Sequence, residues 1–150
     1  MLPFILLIED SDEDFVALQR ALKHAQITYT IQRCTKGDDA LDYLYRRGRY
    51  SNRQPTAQPA LILLDLNLPG TDGRRVLAQI KSDPMLRMIP VVIITTSSNP
   101  KDVISCYHNG ANSYFVKSIN FEKFRRQINI LTEYWLNATV LPVSMEEQDE

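Results

Sequence analysis

Short apolar runs alternate along this chain with amphipathic helical patterns, and that alternation limits the possible folds more than any other feature. Apolar runs bounded by turn residues are typical of strands that are buried on both faces. Such runs, or alternating ones, occur at 3–8, 27–34, 61–65, 90–95 and 113–116. Their alternation with five helical patterns predicts an α/β fold, in which one five-stranded parallel sheet is doubly wound, with helices on both faces and right-handed crossovers.

Helix start and stop signals lie between the predicted strands. Ser11 followed by Asp14 resembles a capping box and predicts the start of the first helix. Thr35 is expected to begin the second helix, and Gly48 is placed to end it. The other helices are predicted over 72–82, 99–110 and from 121 onward. The expected core face of the helix at 99–110 consists of Val103, Ile104 and Tyr107. That of the last helix consists of Phe121, Phe124, Ile128, Leu131 and Trp135.

Composition favours one globular domain. Hydrophobic residues make up 44% of the 150 residues and the formal net charge is -1, so nothing suggests a nucleic-acid surface. No apolar stretch is long enough to span a membrane, and the first residues lack the features of a signal peptide. Cys34 and Cys106 lack the spacing of a zinc site and are expected to be reduced. We therefore expect a cytoplasmic domain over 1–142, followed by a mobile acidic tail at 143–150.

The segment at 46–59 has no periodicity and carries four arginines and two prolines. It is predicted to be a solvated connection, and the alternative is a basic docking loop. The glycines of the chain form neither a GxGxxG motif nor a GK[ST] loop, so neither a dinucleotide site nor a nucleotide P-loop is expected.

Charged side chains follow the predicted strands at the ends where parallel sheets collect ligands. Glu9 and Asp10 follow the first strand, Asp65 ends the third, and Lys117 follows the fifth. Three carboxylates packed beside one ammonium repel one another, and a divalent cation would relieve that repulsion. Because all the ligands are hard oxygens, the sequence predicts a Mg²⁺ site at Glu9, Asp10 and Asp65.

Asp65 is the best candidate for a reacting carboxylate, because it ends a strand buried on both faces and precedes a loop. A carboxylate nucleophile can form an aspartyl phosphate, with Mg²⁺ and Lys117 neutralising the phosphoryl charge. Thr95, at the end of the fourth strand, could hydrogen-bond a phosphoryl oxygen. The alternative for Asp65 is a cap for the following loop, since Asp is common at turns.

A set of motifs in order resembles the receiver domain of two-component response regulators. They are ED after the first strand, DLNLPGTDG at the third, TT at the fourth and SYFVK at the fifth, and they cover about 3–136. The resemblance implies a flavodoxin-like sheet of strand order 2-1-3-4-5 with five helices. It implies these roles: Asp65 as phosphoacceptor, Glu9 and Asp10 as the acidic metal-binding pair, Asn67 as a backbone-carbonyl ligand of Mg²⁺, Thr95 as the switch hydroxyl, Tyr114 as the rotating aromatic and Lys117 as the phosphate-pairing lysine.

A narrower resemblance is carried by the basic connection, the TTSS run, KS after the fifth strand and the YWL…VLP ending. These features are similar to the single-domain regulators that partner cyanobacterial phytochromes. The resemblance implies a phytochrome-type sensor histidine kinase as phosphodonor and a homodimer through the helix 4, strand 5 and helix 5 side. Trp135, with Ile130 and Tyr134, would supply an exposed apolar patch, and the alternative is core packing. Neither a nucleic-acid nor a membrane partner is expected.

The chain departs from the receiver pattern after the fifth strand. Receivers usually carry Lys-Pro there, with a cis bond, whereas this chain has Lys117-Ser118. Either the bond is trans and the loop shifted, or the site holds a costly cis bond.

Each site residue also has a structural alternative. Glu9 and Asp10 would suit the start of a helix, and Lys117 would suit the surface. Thr95 could cap the turn that follows its strand, and Tyr114 could be a core residue.

Two classes of function compete. The first is a phosphorylated signalling protein that catalyses only its own phosphorylation and dephosphorylation. The second is an Asp-nucleophile phosphohydrolase acting on small phosphoesters. Such enzymes carry the nucleophile on the first strand with a second Asp two residues later, whereas Asn67 stands at that spacing from Asp65. A pseudo-receiver scaffold is disfavoured because every motif residue is present.

Overall fold

Five parallel strands form one sheet in the computed structural model, which describes residues 3–54 and 58–142. The strands are β1 (Phe4–Ile8), β2 (Thr30–Cys34), β3 (Leu61–Leu64), β4 (Val91–Thr95) and β5 (Ser113–Val116). Their order in the sheet is β2-β1-β3-β4-β5, which confirms the predicted topology. The second strand is shorter than predicted, because pairing with β1 begins only at Thr30, opposite Phe4. The predicted acidic tail at 143–150 lies outside the described residues.

Helices cover both faces of the sheet. They are α1 (Asp12–His24), α2 (Gly37–Tyr45), α3 (Gly73–Ser82), α4 (Pro100–His108) and α5 (Phe121–Glu133). A 3-10 turn at Gly48–Tyr50 follows α2, and a π-helical turn at Tyr134–Ala138 continues α5. No helix among the described residues has both the length and the apolar character that crossing a bilayer would require.

Alternating strand residues separate two cores. Leu6 and Ile8 of β1 belong to the core on one face, which includes residues of α2 and α3. Ile5 and Leu7 belong to the core on the other face, which includes residues of α1 and α5. Because β1 and β3 are covered on both faces, their residues are buried without alternation, and their ends are held in a fixed place.

The predicted limits of α2 were wrong at both ends. The helix begins after Lys36, which makes no side-chain cap, rather than at Thr35. A Cβ atom on Gly37 would collide with the carbonyl oxygen of Thr71, so this start is set by close approach to the β3–α3 loop. The helix ends at Tyr45 with Arg46 in the left-handed conformation at φ 56°, and Gly48 instead opens the 3-10 turn.

The predicted core face of α4 was wrong at Ile104 and Tyr107, whereas Val103 is partly buried. Cys106 is the buried residue of this helix, whereas Ile104 is 69% exposed and Tyr107 is 48% exposed. Helix α4 has only nine residues, and the spacing of its apolar residues is compatible with more than one buried face. Contact with the sheet determines which face is buried.

The last helix packs largely as predicted. Phe124, Ile128 and Leu131 are buried, whereas Phe121, at the first position, is 58% exposed. Trp135 is partly buried against the α1 and α5 core, so it fits the core alternative. Of the three residues in the predicted apolar patch, only Ile130 and Tyr134 are exposed.

The arginine-rich connection folds back onto α2. Arg47 pairs with Asp42 at 3.3 Å, and Arg49 pairs with Asp39 at 2.8 Å. Arg53 stacks on another residue of α2, 4.0 Å above the ring of Tyr43. Residues 55–57 of this connection lie outside the described part of the chain. These contacts direct the basic side chains toward the protein's own acids and rings.

Candidate functional site

Asp65 lies where β3 ends, between the ends of β1 and β4. Ile8 pairs with Leu64 in the sheet, so Glu9 and Asp65 leave neighbouring strands at the same level. The Asp65 side chain is held from two sides. Its Oδ1 accepts a hydrogen bond from the Asn67 N–H at 3.1 Å, and its Oδ2 lies 3.2 Å from the Lys117 ammonium. Asp65 is 6% exposed, so its carboxylate sits at the floor of the cleft between the strand ends.

A close approach by α3 supports this position. A Cβ atom on Gly73 would collide with the carbonyl oxygen of Asp65, and it would also come too close to Leu66. Asp72 caps α3 by accepting a hydrogen bond from the Arg74 N–H at 2.8 Å. The loop between Asp65 and α3 is therefore closed tightly, and Asn67 lies within it.

Glu9, Asp10 and Asp65 form a carboxylate trio. One oxygen from each lies within 4.8 Å of the others. Glu9 is 1% exposed, whereas Asp10 is exposed and opens the trio to solvent. This donor set fits a hard divalent cation, which prefers carboxylate oxygens and keeps some water. The structure thus brings together the three carboxylates that the sequence predicts as metal ligands.

Burial controls the protonation of Glu9. Its Oε1 accepts a hydrogen bond from the Ser11 N–H at 3.0 Å, and its Oε2 accepts one from Lys117 at 2.7 Å. Removal from water, opposed by Lys117 and reinforced by the charge of Asp65, raises the pKa of Glu9 to about 7. Burial therefore favours the protonated form of Glu9, and a cation bound by the trio would favour its ionised form.

The Lys117 ammonium contacts three carboxylates in this cleft. Its Nζ lies 2.7 Å from Glu9, 2.6 Å from Asp14 and 3.2 Å from Asp65. Burial alone would lower the pKa of Lys117, but the hydrogen bonds to Asp14 and Glu9 outweigh it and raise that pKa above its usual value. Lys117 is consequently a fixed cation that carboxylates outnumber.

The turn after Lys117 forms without the Lys-Pro pair. All described peptide bonds are trans, the Lys117–Ser118 bond included. Gln127 of α5 brackets the turn, because its amide donates to the Val116 carbonyl at 2.7 Å and its Oε1 accepts from the Ser118 N–H at 3.0 Å. The Lys117 N–H donates to the Thr95 carbonyl at 2.7 Å, which ties the turn to β4.

Thr95 and Tyr114 both contact Ser97. Thr95 is fully buried at the end of β4, and its Oγ1 accepts from the Ser97 N–H at 3.5 Å. The Tyr114 hydroxyl donates to the Ser97 carbonyl at 2.9 Å. Thr96, the neighbouring threonine, is exposed. The structure therefore joins the two predicted switch residues through the backbone of one loop residue.

The sequence interpretation missed two parts of this region. Asp14 was expected to complete a capping box, but Glu9 takes the Ser11 N–H and Asp14 turns to Lys117 instead. Ser11 still caps α1, accepting from the Asp14 N–H at 3.3 Å. Ser97 was also missed. A Ser-rich loop after a strand signals only a turn, so no local pattern could have identified its contacts.

Known proteins match this chain in sequence and in fold. Residues 5–129 match the response regulator receiver domain family. The chain is 41% identical over 140 residues to response regulator Rcp1 of Synechocystis sp., with 93% of each chain covered. It is also 41% identical over 135 residues to the probable methanogenesis regulatory protein FilR2 of Methanothrix harundinacea, covering 89% of this chain and 84% of FilR2.

Solved structures give the same result. The crystal structure of the Mn²⁺-bound form of Rcp1 superposes with a TM-score of 0.88 at 41% identity, covering 93% of this chain and 99% of that one. The crystal structure of the phosphorylated cyanobacterial phytochrome response regulator RcpA superposes with a TM-score of 0.87 at 39% identity, covering 95% of this chain and 99% of that one.

Proposed function

This chain belongs to the response regulator receiver domain family, and from that premise we propose that it receives a phosphoryl group on Asp65 from a sensor histidine kinase. The single observation that carries the proposal is the placement of the Asp65 carboxylate. It is nearly buried, it shares a site with two other carboxylates, and one ammonium lies 3.2 Å from its Oδ2. An isolated loop cap would need none of these neighbours.

The transfer is an in-line displacement at phosphorus. An Asp65 carboxylate oxygen forms the new O–P bond, the N–P bond of the kinase's phosphohistidine breaks, and the histidine nitrogen keeps the bonding electron pair. Lys117 is placed to neutralise charge on the phosphoryl oxygens, since its ammonium already contacts Asp65. Hydrolysis of the acyl phosphate then returns Asp65 to its starting state.

Glu9, Asp10 and Asp65 would hold a divalent cation, and the backbone carbonyl of Asn67 would complete the protein's ligands. We assign Mg²⁺, because a few carboxylates with water and a phosphoryl oxygen suit that ion. The Mn²⁺-bound form of Rcp1 supports a divalent ion in this family. When bound, the ion neutralises the carboxylates and the incoming phosphoryl charge together.

Phosphorylation is expected to act on Thr95 and Tyr114. A phosphoryl oxygen on Asp65 would accept a hydrogen bond from the Thr95 hydroxyl, and rotation of Thr95 toward it would break the 3.5 Å contact in which Oγ1 accepts from the Ser97 N–H. Because the Tyr114 hydroxyl bonds the Ser97 carbonyl, a shift of Ser97 would also release Tyr114. A two-state change of this kind requires contacts that differ between states, and Ser97 supplies them.

The likeness to RcpA, a cyanobacterial phytochrome response regulator, favours a phytochrome-type kinase as phosphodonor in the cytoplasm. Sequence identity alone does not single out this partner, because FilR2 is equally identical. Transfer from a phytochrome-type kinase that is faster than transfer from an unrelated kinase would support this assignment. Equal transfer rates would overturn it.

A homodimer through the α4, β5 and α5 side completes the proposal. This side carries large apolar side chains that are exposed: Ile104, Tyr107, Val116, Ile130 and Tyr134. Exposed apolar groups of this size commonly mark an interface. Sizing of the wild-type chain, unphosphorylated and phosphorylated, should give a dimer, and Tyr134→Glu should shift it toward monomer. A wild-type chain that stays monomeric in both forms would contradict the dimer.

The central test is phosphotransfer from a phosphorylated histidine kinase domain in the presence of Mg²⁺. We expect stoichiometric, base-labile label on the wild type and none on Asp65→Asn. Continuous release of phosphate from small phosphoesters would instead support the phosphohydrolase alternative. Label that persists in Asp65→Asn would remove Asp65 from its role.

A further inference from the structure

Asp14 is the partner of Lys117 that lies outside the carboxylate trio. Its Oδ2 is 2.6 Å from the ammonium, a distance no longer than those to Glu9 and Asp65. The trio itself consists of Glu9, Asp10 and Asp65. Of the three carboxylates that contact Lys117, two are therefore shared with the cation site, and Asp14 is not.

The hydrogen bonds at the start of α1 orient the Asp14 carboxylate toward the Lys117 ammonium. The Asp14 N–H donates to Ser11 Oγ, which places the residue in the first turn of the helix. The Ser11 N–H, which a capping-box carboxylate would accept, is bonded to Glu9 Oε1 instead. The Asp14 carboxylate is thereby left for Lys117, and the partial positive charge at a helix start favours a negative group there.

Glu9 and Asp65 would have to pair with Lys117 and also bind a divalent cation. In this structure they neutralise the Lys117 ammonium. Under the proposed function the same carboxylates hold a divalent cation, which repels the ammonium and takes up the charge that attracts it. Lys117 would then lose most of the attraction of two partners at the moment when its position matters.

We infer that Asp14 is a positioning residue that keeps the Lys117 ammonium in the cleft while a divalent cation occupies Glu9, Asp10 and Asp65. The inference rests on the proposed function of the same site. A lysine that is already in place can stabilise developing phosphoryl charge without first being ordered. Asp14 itself touches neither the phosphoryl group nor the cation in this account.

The test compares the wild type with Asp14→Asn and a matched control, Glu13→Gln. Asp14→Asn keeps the size of the side chain and removes its charge. Glu13→Gln removes the same charge from the neighbouring exposed residue, which is not among the ion-pair partners of Lys117 in the described part of the chain. Asp14→Glu restores the charge and serves as the conservative variant. Thermal unfolding confirms that each protein is folded.

The first readout is the mobility of the Lys117 side chain, followed by NMR of its ε-methylene with and without Mg²⁺. The signal is assigned with Lys117→Met. In the wild type and in Glu13→Gln, Lys117 should stay ordered in both conditions. In Asp14→Asn it should stay ordered without Mg²⁺, held by Glu9 and Asp65, and become mobile when Mg²⁺ is added. Asp14→Glu should regain order with Mg²⁺.

The second readout is the rate of labelling by acetyl phosphate at saturating Mg²⁺. The maximal rate of Asp14→Asn should fall roughly fivefold, with the half-saturating donor concentration little changed, because Lys117 acts on charge that develops during transfer. Glu13→Gln should match the wild type.

Two results would overturn the inference: an equally ordered Lys117 in Asp14→Asn with Mg²⁺, or the same loss of rate in Glu13→Gln. The proposed function fails separately, if the wild type is never labelled. In that case the NMR comparison still decides whether Asp14 holds Lys117.

Discussion

Two charge clusters in this molecule differ in how completely their charged groups are paired. In the cleft, Lys117 contacts Glu9, Asp14 and Asp65, and Asp10 adds a further carboxylate to the trio. Glu9 and Asp65 are buried. Between α3 and α4, the Arg74 guanidinium bonds both oxygens of Asp102, at 2.7 Å and 2.8 Å, and also reaches Asp72 at 3.0 Å. The second cluster satisfies its own hydrogen bonds.

The difference in pairing indicates that the cleft serves function, whereas the Arg74 cluster serves stability. An excess of buried carboxylates costs folding free energy, and it is tolerable where a cation is to be bound. A bidentate Arg–Asp pair with good geometry instead joins two helices. Asp102 also accepts from Ser97 Oγ at 2.6 Å, so the Arg74 cluster anchors the loop that contacts Thr95 and Tyr114. The carboxylates of the cleft are suited to binding a cation, whereas the Arg74 cluster stabilises the helices and the loop beside the cleft.

Removing the cation from each cluster should have the largest effect on stability. Lys117→Met leaves buried carboxylates without their ammonium, and we expect the free energy of unfolding to fall by about 3 kcal/mol in metal-free buffer. Mg²⁺ should restore part of that loss, because it supplies positive charge to the same oxygens. Arg74→Met should also destabilise, but Mg²⁺ should give it no more than it gives the wild type. Chemical denaturation with and without Mg²⁺ measures both, and equal recovery of the two variants would erase the distinction.

Acid should weaken the Arg74 cluster over a defined pH range. Hydrogen bonds from Arg74 and then Ser97 lower the pKa of Asp102 from 3.8 to about 2. Because the folded pKa is the lower one, Asp102 stabilises the fold above pH 4 and this contribution is lost as the pH falls toward 2. Arg74 is partly exposed, so screening limits the effect, and Asp102→Asn should cost about 1 kcal/mol near neutral pH.

Unfolding curves of the wild type and Asp102→Asn between neutral pH and pH 2 test this prediction. The two should converge as the pH falls. A difference that stays constant over the whole range would mean that Asp102 contributes through packing and not through its charge.

The smallest effect is expected where an ion pair is open to solvent. Arg49 and Asp39 are 2.8 Å apart, but the arginine side chain is 70% exposed. Arg49→Met should lower the free energy of unfolding less than any of the variants above. A larger loss would show that the turn after α2 contributes to stability more than its surface position indicates.

Sequence reasoning worked where apolar patterning and the order of parallel strands determine the outcome. The strand runs, the order of motifs and the meeting of Glu9, Asp10 and Asp65 follow from apolar patterning and parallel topology. It failed where a distant segment decides. The start of α2 is set by the approach of Gly37 to Thr71, and the face of α4 is set by contact with the sheet. Asp14 was assigned to a local cap because its partner, Lys117, is far away in the sequence.

The central claim is that Asp65 accepts the phosphoryl group in a cleft that needs a divalent cation. The most direct measurement is peptide mass mapping of the wild-type chain after reaction with acetyl phosphate, with and without Mg²⁺. We predict one phosphoryl group, on the peptide that contains Asp65, and only when Mg²⁺ is present. A phosphoryl group on any other residue, or equal modification of Asp65 without Mg²⁺, would contradict it.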